Sequence, residues 1–336
     1  MFNLLKSDAY RLAHGKMLWV MTAIVVAMTA LMVSMLYWFS TPEFLYASAQ
    51  GIEFAVGSSD EVAEAFEDAV DEVAEGERDP NDPDVRAVQQ LFAMGASSAD
   101  EVTVADFEGV SRDMRTLVSP TDMLGDAAFS GGEVSLLTSL LVALFLASDF
   151  STGFVRNLVM DRRGRMRYYG EKLVLVALVS LYFTLLASLA SAVAFAVGGF
   201  TYAVGNSLGE IVGYLALGWA IAFAFGCMAA VVTWLARSGG AGIAFAIVVG
   251  SGMAGAIVGQ VLLLLGQSFS WVASIQPWLL AAGQNAMGGG MTALMNGALP
   301  DAPTNVPAAV RIVVAAVFWV ALSAGISFGF QRKRDV

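Results

Sequence analysis

The sequence predicts an all-α polytopic membrane protein with six transmembrane helices, both termini cytoplasmic, a helical extracytoplasmic domain between helices 1 and 2, and a re-entrant helical hairpin between helices 5 and 6. Three observations predict this. The 336 residues are 57% hydrophobic and 14% charged, with a mean hydropathy of +0.68, whereas a soluble domain is about a quarter charged. No Asp, Glu, Lys or Arg occurs from Ser238 to Pro300. Apolar blocks of about twenty residues, enough to cross a hydrocarbon core of about 30 Å, recur along the chain.

Residues 1–16 read as an interfacial helix, with Phe2, Leu5, Ala9 and Leu12 opposite Lys6 and Lys16. The first span is 17–39. It is too long for a signal-peptide core, and the Ala47-Ser48-Ala49 triplet lies well beyond it. Residues 40–132 follow as an acidic extracytoplasmic domain. There Ser58 or Ser59 can cap a helix carrying Val62, Phe66, Val70 and Val73; a second helix carries Val85, Val88, Leu91 and Phe92; a third carries Val104, Phe107, Val110, Met114 and Leu117. Asp79, Asn81, Asp82 and Asp84 suggest calcium, but Asp84 and Gln90 stand where an EF-hand loop needs glycine and glutamate.

The second span, 133–155, begins with an apolar run from Val134 to Ser148 that alone rises about 22 Å, so it extends past Asp149, which is expected near the interface. A basic loop at 156–172 leads to spans at 173–199, 211–236 and 241–265. Residues 266–310, interrupted by Gln276, Pro277, Gln284, Asn285 and Gly288 to Gly290, form the re-entrant segment, with Pro277 opening a short helix and the glycines ending it. The last span is 311–331, followed by a tail at 332–336. Glycines at four-residue spacing, Gly205, Gly209 and Gly213, Gly255 and Gly259, and Gly325 and Gly329, are expected to pack helices within the fold.

Orientation follows from charge. With a cytoplasmic N-terminus, 13 of the 18 basic residues fall inside, and the outer segments hold 24 acids against five bases. Trp19, Tyr168, Tyr169 and Trp234 then anchor the inner face, and Tyr37, Trp38, Tyr202 and Trp271 the outer.

Several functions are disfavoured. With one cysteine, Cys227, and one histidine, His14, there is no intrachain disulfide and no multi-histidine metal site. No P-loop motif occurs, so nucleotide-driven work needs another chain. Spans 3 to 5 lack an ionisable relay, which counts against a proton-driven carrier, while sodium coordination by backbone carbonyls stays open. No nucleophile and base or paired aspartates mark an enzyme, and nothing points to nucleic acid. Two surfaces remain. Glu64, Glu67, Asp68, Asp71 and Glu72 form either a trap for cationic ligands or an ordinary solvated helix face. Val155, Leu158 and Val159 beside Arg156, Arg162, Arg163, Arg165 and Arg167 either dock a cytoplasmic partner or hold anionic lipid.

The run Asp149-Phe150-Ser151-Thr152-Gly153-Phe154-Val155-Arg156-Asn157-Leu158, the basic stretch to Tyr168 and Tyr169, and the opening Asn3-Leu4-Leu5-Lys6-Ser7-Asp8-x-Tyr10-Arg11-Leu12 together resemble the permease subunits of ABC type 2 exporters. The motifs cover about forty residues, and the long acidic ectodomain departs from the family. The resemblance implies that 156–172 is the coupling loop, with Phe154, Val155, Arg156, Leu158, Val159, Arg162, Arg163, Tyr168 and Tyr169 as ATPase-docking candidates. It implies two cytoplasmic ABC ATPases carrying ATP and Mg, a second permease copy or paralogue, surrounding membrane lipids, and no cofactor on this chain. The cargo would be a peptide, drug, lipid or glycan. The acidic ectodomain favours a cationic antimicrobial peptide, and the expected location is a bacterial, Gram-positive cell membrane. The alternatives are a membrane sensor or scaffold with a ligand-binding ectodomain, and an ion-coupled secondary carrier.

Overall fold

The computed structural model describes residues 2–48, 104–151, 162–296 and 306–331. The expected helices between Ser58 and Phe92 lie outside these residues, as do the acids Glu64, Glu67, Asp68, Asp71 and Glu72 and the loop residues Phe154, Val155, Arg156, Leu158 and Val159. Arg162 and Arg163 are described in their backbone alone.

The described chain forms two compact units, 1–32 with 118–197 and 202–336, and 33–117 with 198–201. Helix α1 (Phe2–His14) is followed by α2 (Lys16–Phe39). The break falls at Gly15, whose N–H donates to the Leu12 carbonyl at 3.2 Å. In the smaller unit, α3 (Phe107–Met114) buries Phe107 and Ser111. Ser111 donates to the Ser40 carbonyl at 2.6 Å, and Arg115 donates to the Ser40 hydroxyl at 3.0 Å while lying 4.4 Å from the Tyr37 ring centroid. Val118 onward belongs to the larger unit.

In the larger unit, α4 (Pro120–Leu124) has Ser119 as its cap and a proline in its first turn. A π-helical turn at Gly125–Phe129 leads to α5 (Glu133–Ser151), then α6 (Arg162–Val197) and α7 (Leu208–Ala236). The residues Arg162 to Lys172, expected in a loop, instead form the first turns of α6. Ser207 and Glu210 open α7 with a capping box, the Glu210 carboxylate accepting from the Ser207 N–H at 2.8 Å. Buried Tyr214, Ile221, Phe225, Cys227 and Trp234 make α7 the centre of the bundle, packed against α5, α6, α8 (Gly239–Gly250) and α13 (Ala308–Gln331).

The expected fifth span is two helices, α8 and α9 (Met253–Ser268), bent by 54°. Gly252 at φ +80° supplies the left-handed residue at the break. Short helices α10 (Ser270–Ala273), α11 (Leu280–Ala286) and α12 (Gly290–Asn296), with 3-10 turns at Gln276–Trp278 and Met287–Gly289, make up the interrupted segment. Pro277, expected to open the helix that the glycines end, lies instead inside the separate turn Gln276–Trp278, and Gly290, at φ +64°, follows the turn Met287–Gly289.

Five described helices are long and apolar enough to cross a membrane, and the bent pair makes up to six. The described residues are almost wholly helical, with the apolar helices of a multi-pass membrane protein. Of the glycines expected to pack helices internally, Gly255 meets Ala281 and Gly213 meets Met291, but a methyl added at Gly205, Gly259, Gly325 or Gly329 would meet nothing within 4 Å, and one at Gly209 only Ser207 Oγ at 4.0 Å.

Candidate functional site: a buried ring of charge

Three segments meet at the end of the bundle where α5 stops and α6 starts. On α1, Asp8 and Arg11 are three residues apart and share a face. Asp149 sits in the last turn of α5, where the negative end of the helix dipole disfavours a carboxylate unless cations answer it. Tyr168 and Lys172 are four apart near the start of α6. Asp8, Asp149, Tyr168 and Lys172 are all 0% exposed.

Their charges alternate around a closed ring. Arg11 Nη1 donates to Asp8 Oδ1 at 3.2 Å and to Asp149 Oδ1 at 3.0 Å. Lys172 Nζ pairs with Asp8 Oδ2 and, at 2.7 Å, with Asp149 Oδ2. Tyr168 also donates to Asp149 Oδ2, at 3.1 Å. Each of the four aspartate oxygens thus faces a cation, and the ring is neutral. Burial disfavours the Arg11 charge, but bonding to Asp149 and attraction from both aspartates outweigh it and raise its pKa. The Phe145 ring supports both cations, with Lys172 Nζ 4.7 Å and Arg11 Cζ 5.3 Å from its centroid.

An aromatic line continues into the bundle: Tyr168 and Tyr169 centroids are 5.3 Å apart, and Tyr169 and Trp234 4.8 Å apart. Tyr168 and Tyr169, docking and anchor candidates from the sequence, are therefore interior groups that join the ring to α7. On α1, Asp8 is buried while Leu5 and Leu12 are half-buried and Ala9 is exposed.

The interrupted segment is fastened to α7 and to the turns that precede α5. Tyr214 donates to the Met287 carbonyl at 2.6 Å, and the Met291 N–H donates to Thr121 Oγ1 at 3.1 Å. Thr121 in turn donates from its N–H and hydroxyl to Asn206 Oδ1 at 3.0 and 3.1 Å. Asp122 and Asp126 crowd Gly290 and Gly288, where an added methyl would come within 2.5 and 3.0 Å of a carboxylate oxygen. Partial burial and then the neighbouring Asp122 push the Asp126 carboxyl up.

Sequence reasoning missed the ring, although Asp8, Arg11, Asp149 and Lys172 all lie in or beside the quoted motifs. The available signal was an acid at the end of one apolar run and a base at the start of the next. Among the described residues no group of three or more His, Cys, Asp or Glu is arranged to hold a metal. With every aspartate oxygen engaged, the arrangement acts as a clamp holding α1 to α5 and α6, the two helices that flank the 152–161 connection.

These features define a multi-pass α-helical membrane protein in which α1 is locked to the bundle by buried charge. Comparison with protein-family models, curated proteins and solved structures finds no match.

Proposed function

We propose that this chain is the permease subunit of an ATP-driven exporter, and that the charge ring is the joint through which a cytoplasmic ATPase moves the bundle. One observation carries the reading: the ring ties α1 to the helix ends on both sides of the 152–161 connection. A partner that displaced this connection would move α1, α5 and α6 together, because opening the ring exposes unpaired buried charge. The connection and the start of α6, with Arg156, Arg162 and Arg163 near Val155 and Leu158 in sequence, have the chemistry to dock an acidic, partly apolar protein surface. ATP and Mg belong to two such ATPases, a second permease copy or paralogue completes the assembly, and this chain performs no covalent step.

In this reading the orientation is that of the positive-inside count, and the acidic segment with Glu64, Glu67, Asp68, Asp71 and Glu72 faces outward toward a cationic peptide cargo in a bacterial cell membrane. The test is gentle purification of the tagged chain from its native membrane, with mass spectrometry of what accompanies it. Recovery of a P-loop ATPase, lost when Arg156, Arg162 and Arg163 become glutamates, is the expected result. A chain that brings no ATPase and binds or moves a ligand alone overturns the reading in favour of a sensor or a secondary carrier.

A further inference from the structure

We propose that Glu171 is a proton-binding site within the charge ring, so that the joint closes as a neutral body only while this carboxyl holds its proton. The proposal rests on the reading of the ring as a joint and adds the ligand that controls it.

The argument begins with the charge count. Asp8 and Asp149 are balanced by Arg11 and Lys172, and all four aspartate oxygens are engaged. Glu171, next to Lys172, is a fifth charged residue, 2% exposed, and among the described residues neither of its carboxyl oxygens has a hydrogen-bond partner. Among the described residues, the charged groups that act on it are Asp8 on α1, Asp149 on α5 and Lys172 beside it on α6. An ionised Glu171 would add a net negative charge to a site where the cations are already shared, and an uncompensated buried charge is among the most destabilising features a fold can hold.

Three kinds of ligand could supply the missing positive charge. A metal ion such as Ca²⁺ takes about six to eight oxygen ligands, yet the neighbouring aspartate oxygens are occupied, leaving the two of Glu171. A basic side chain from a partner needs access that a 2% exposed residue does not offer. A proton needs one oxygen and no room. It also turns Glu171 into a donor, which the adjacent carboxylates can accept. Losing that proton would set Glu171 against Asp8 and Asp149 and make it compete for Lys172, the residue that tethers Asp8 and with it α1.

The consequence has a definite sign. If the folded chain holds the proton at a pH where the unfolded chain has released it, stability falls as pH rises. Glu171→Gln, which keeps the shape and remains neutral, removes this dependence. The experiment follows thermal unfolding of the full chain in lipid nanodiscs from acidic to alkaline pH, alongside the infrared carbonyl band of protonated carboxyl groups. Wild type and E171Q should melt together at acidic pH, and E171Q should melt several degrees higher at alkaline pH. At neutral pH the wild-type spectrum should contain a protonated-carboxyl component that E171Q lacks. An identical carboxyl band in E171Q, or an E171Q that melts below wild type at neutral pH, overturns the proposal. ATPase co-purification separates the two readings: a lost carboxyl band with no ATPase keeps the proton site and removes the exporter, and an ATPase with an unchanged band does the reverse.

Discussion

Lys172 is where removing one side chain should do most harm. Its ammonium lies between Asp8 and Asp149, fully buried, over the Phe145 ring. Lys172→Met keeps the length and apolar bulk of the stem but leaves two buried carboxylates to share Arg11. Breaking a buried pair from one side costs about 3–5 kcal/mol, much of it the penalty on the stranded charge. The variant should therefore melt far below wild type. Adding Asp149→Asn, which removes one stranded charge, should recover part of the loss, because residues of one network are coupled and their effects do not add. Thermal unfolding of the four chains of this cycle measures the coupling. Full additivity, or a K172M that melts with wild type, would show that the ring is not holding α1.

At the scale of elements, close approach is set by what an added methyl would strike. At Gly125 it would come within 2.2 Å of the Met287 carbonyl oxygen and 2.6 Å of the Tyr214 hydroxyl, the two groups that fasten the interrupted segment to α7. Gly125→Ala must push them apart, and overpacking of this kind costs about 1–3 kcal/mol. At Gly325 and Gly329 on α13 the methyl meets no atom of the chain, so alanine there should leave the melting of the isolated chain unchanged. Equal melting of all three variants would contradict the packing described for the π-helical turn. That turn also carries Asp126, whose carboxyl is pushed up by partial burial and by Asp122. A raised carboxyl favours the fold least once it ionises, so Asp126→Asn should raise the melting temperature at neutral pH, and the gain should vanish below the ordinary carboxylate range. A gain that persists in acid would assign the effect to something other than this charge. None of these contacts was legible in the sequence. Apolar runs locate helices because burial in lipid or protein acts on every residue of a run, whereas the partner of Gly125 or Asp8 is fixed by packing among segments far apart in the chain. The 54° bend between α8 and α9 was half legible, since Gly250, Ser251 and Gly252 stand in the chain but nothing in a hydropathy window distinguishes a break from a tolerated glycine.

For the whole molecule, the decisive property is which end of the bundle faces the cytoplasm, and α5 turns this into a measurement. Its 19 residues rise about 28 Å, close to the thickness of the hydrocarbon core. Asp149 near one end of α5 meets α1, and Gly131 stands just before the other. His14 and Gly131 are both exposed, and a side chain added at Gly131 would meet nothing within 4 Å, so a cysteine is tolerated at either position. The chain has a single cysteine, Cys227, and it is fully buried, so Cys227→Ser gives a background free of thiols. In that background a membrane-impermeant maleimide should label G131C in intact cells and H14C only after the membrane is opened. The positive-inside count requires this result, because the Lys6, Arg11 and Lys16 cluster shares an end with His14. Labelling of both sites from one side would mean that α5 does not cross the membrane. The reverse pattern would leave the bundle intact but turn the 152–161 connection and the charge ring outward, beyond the reach of any cytoplasmic ATPase.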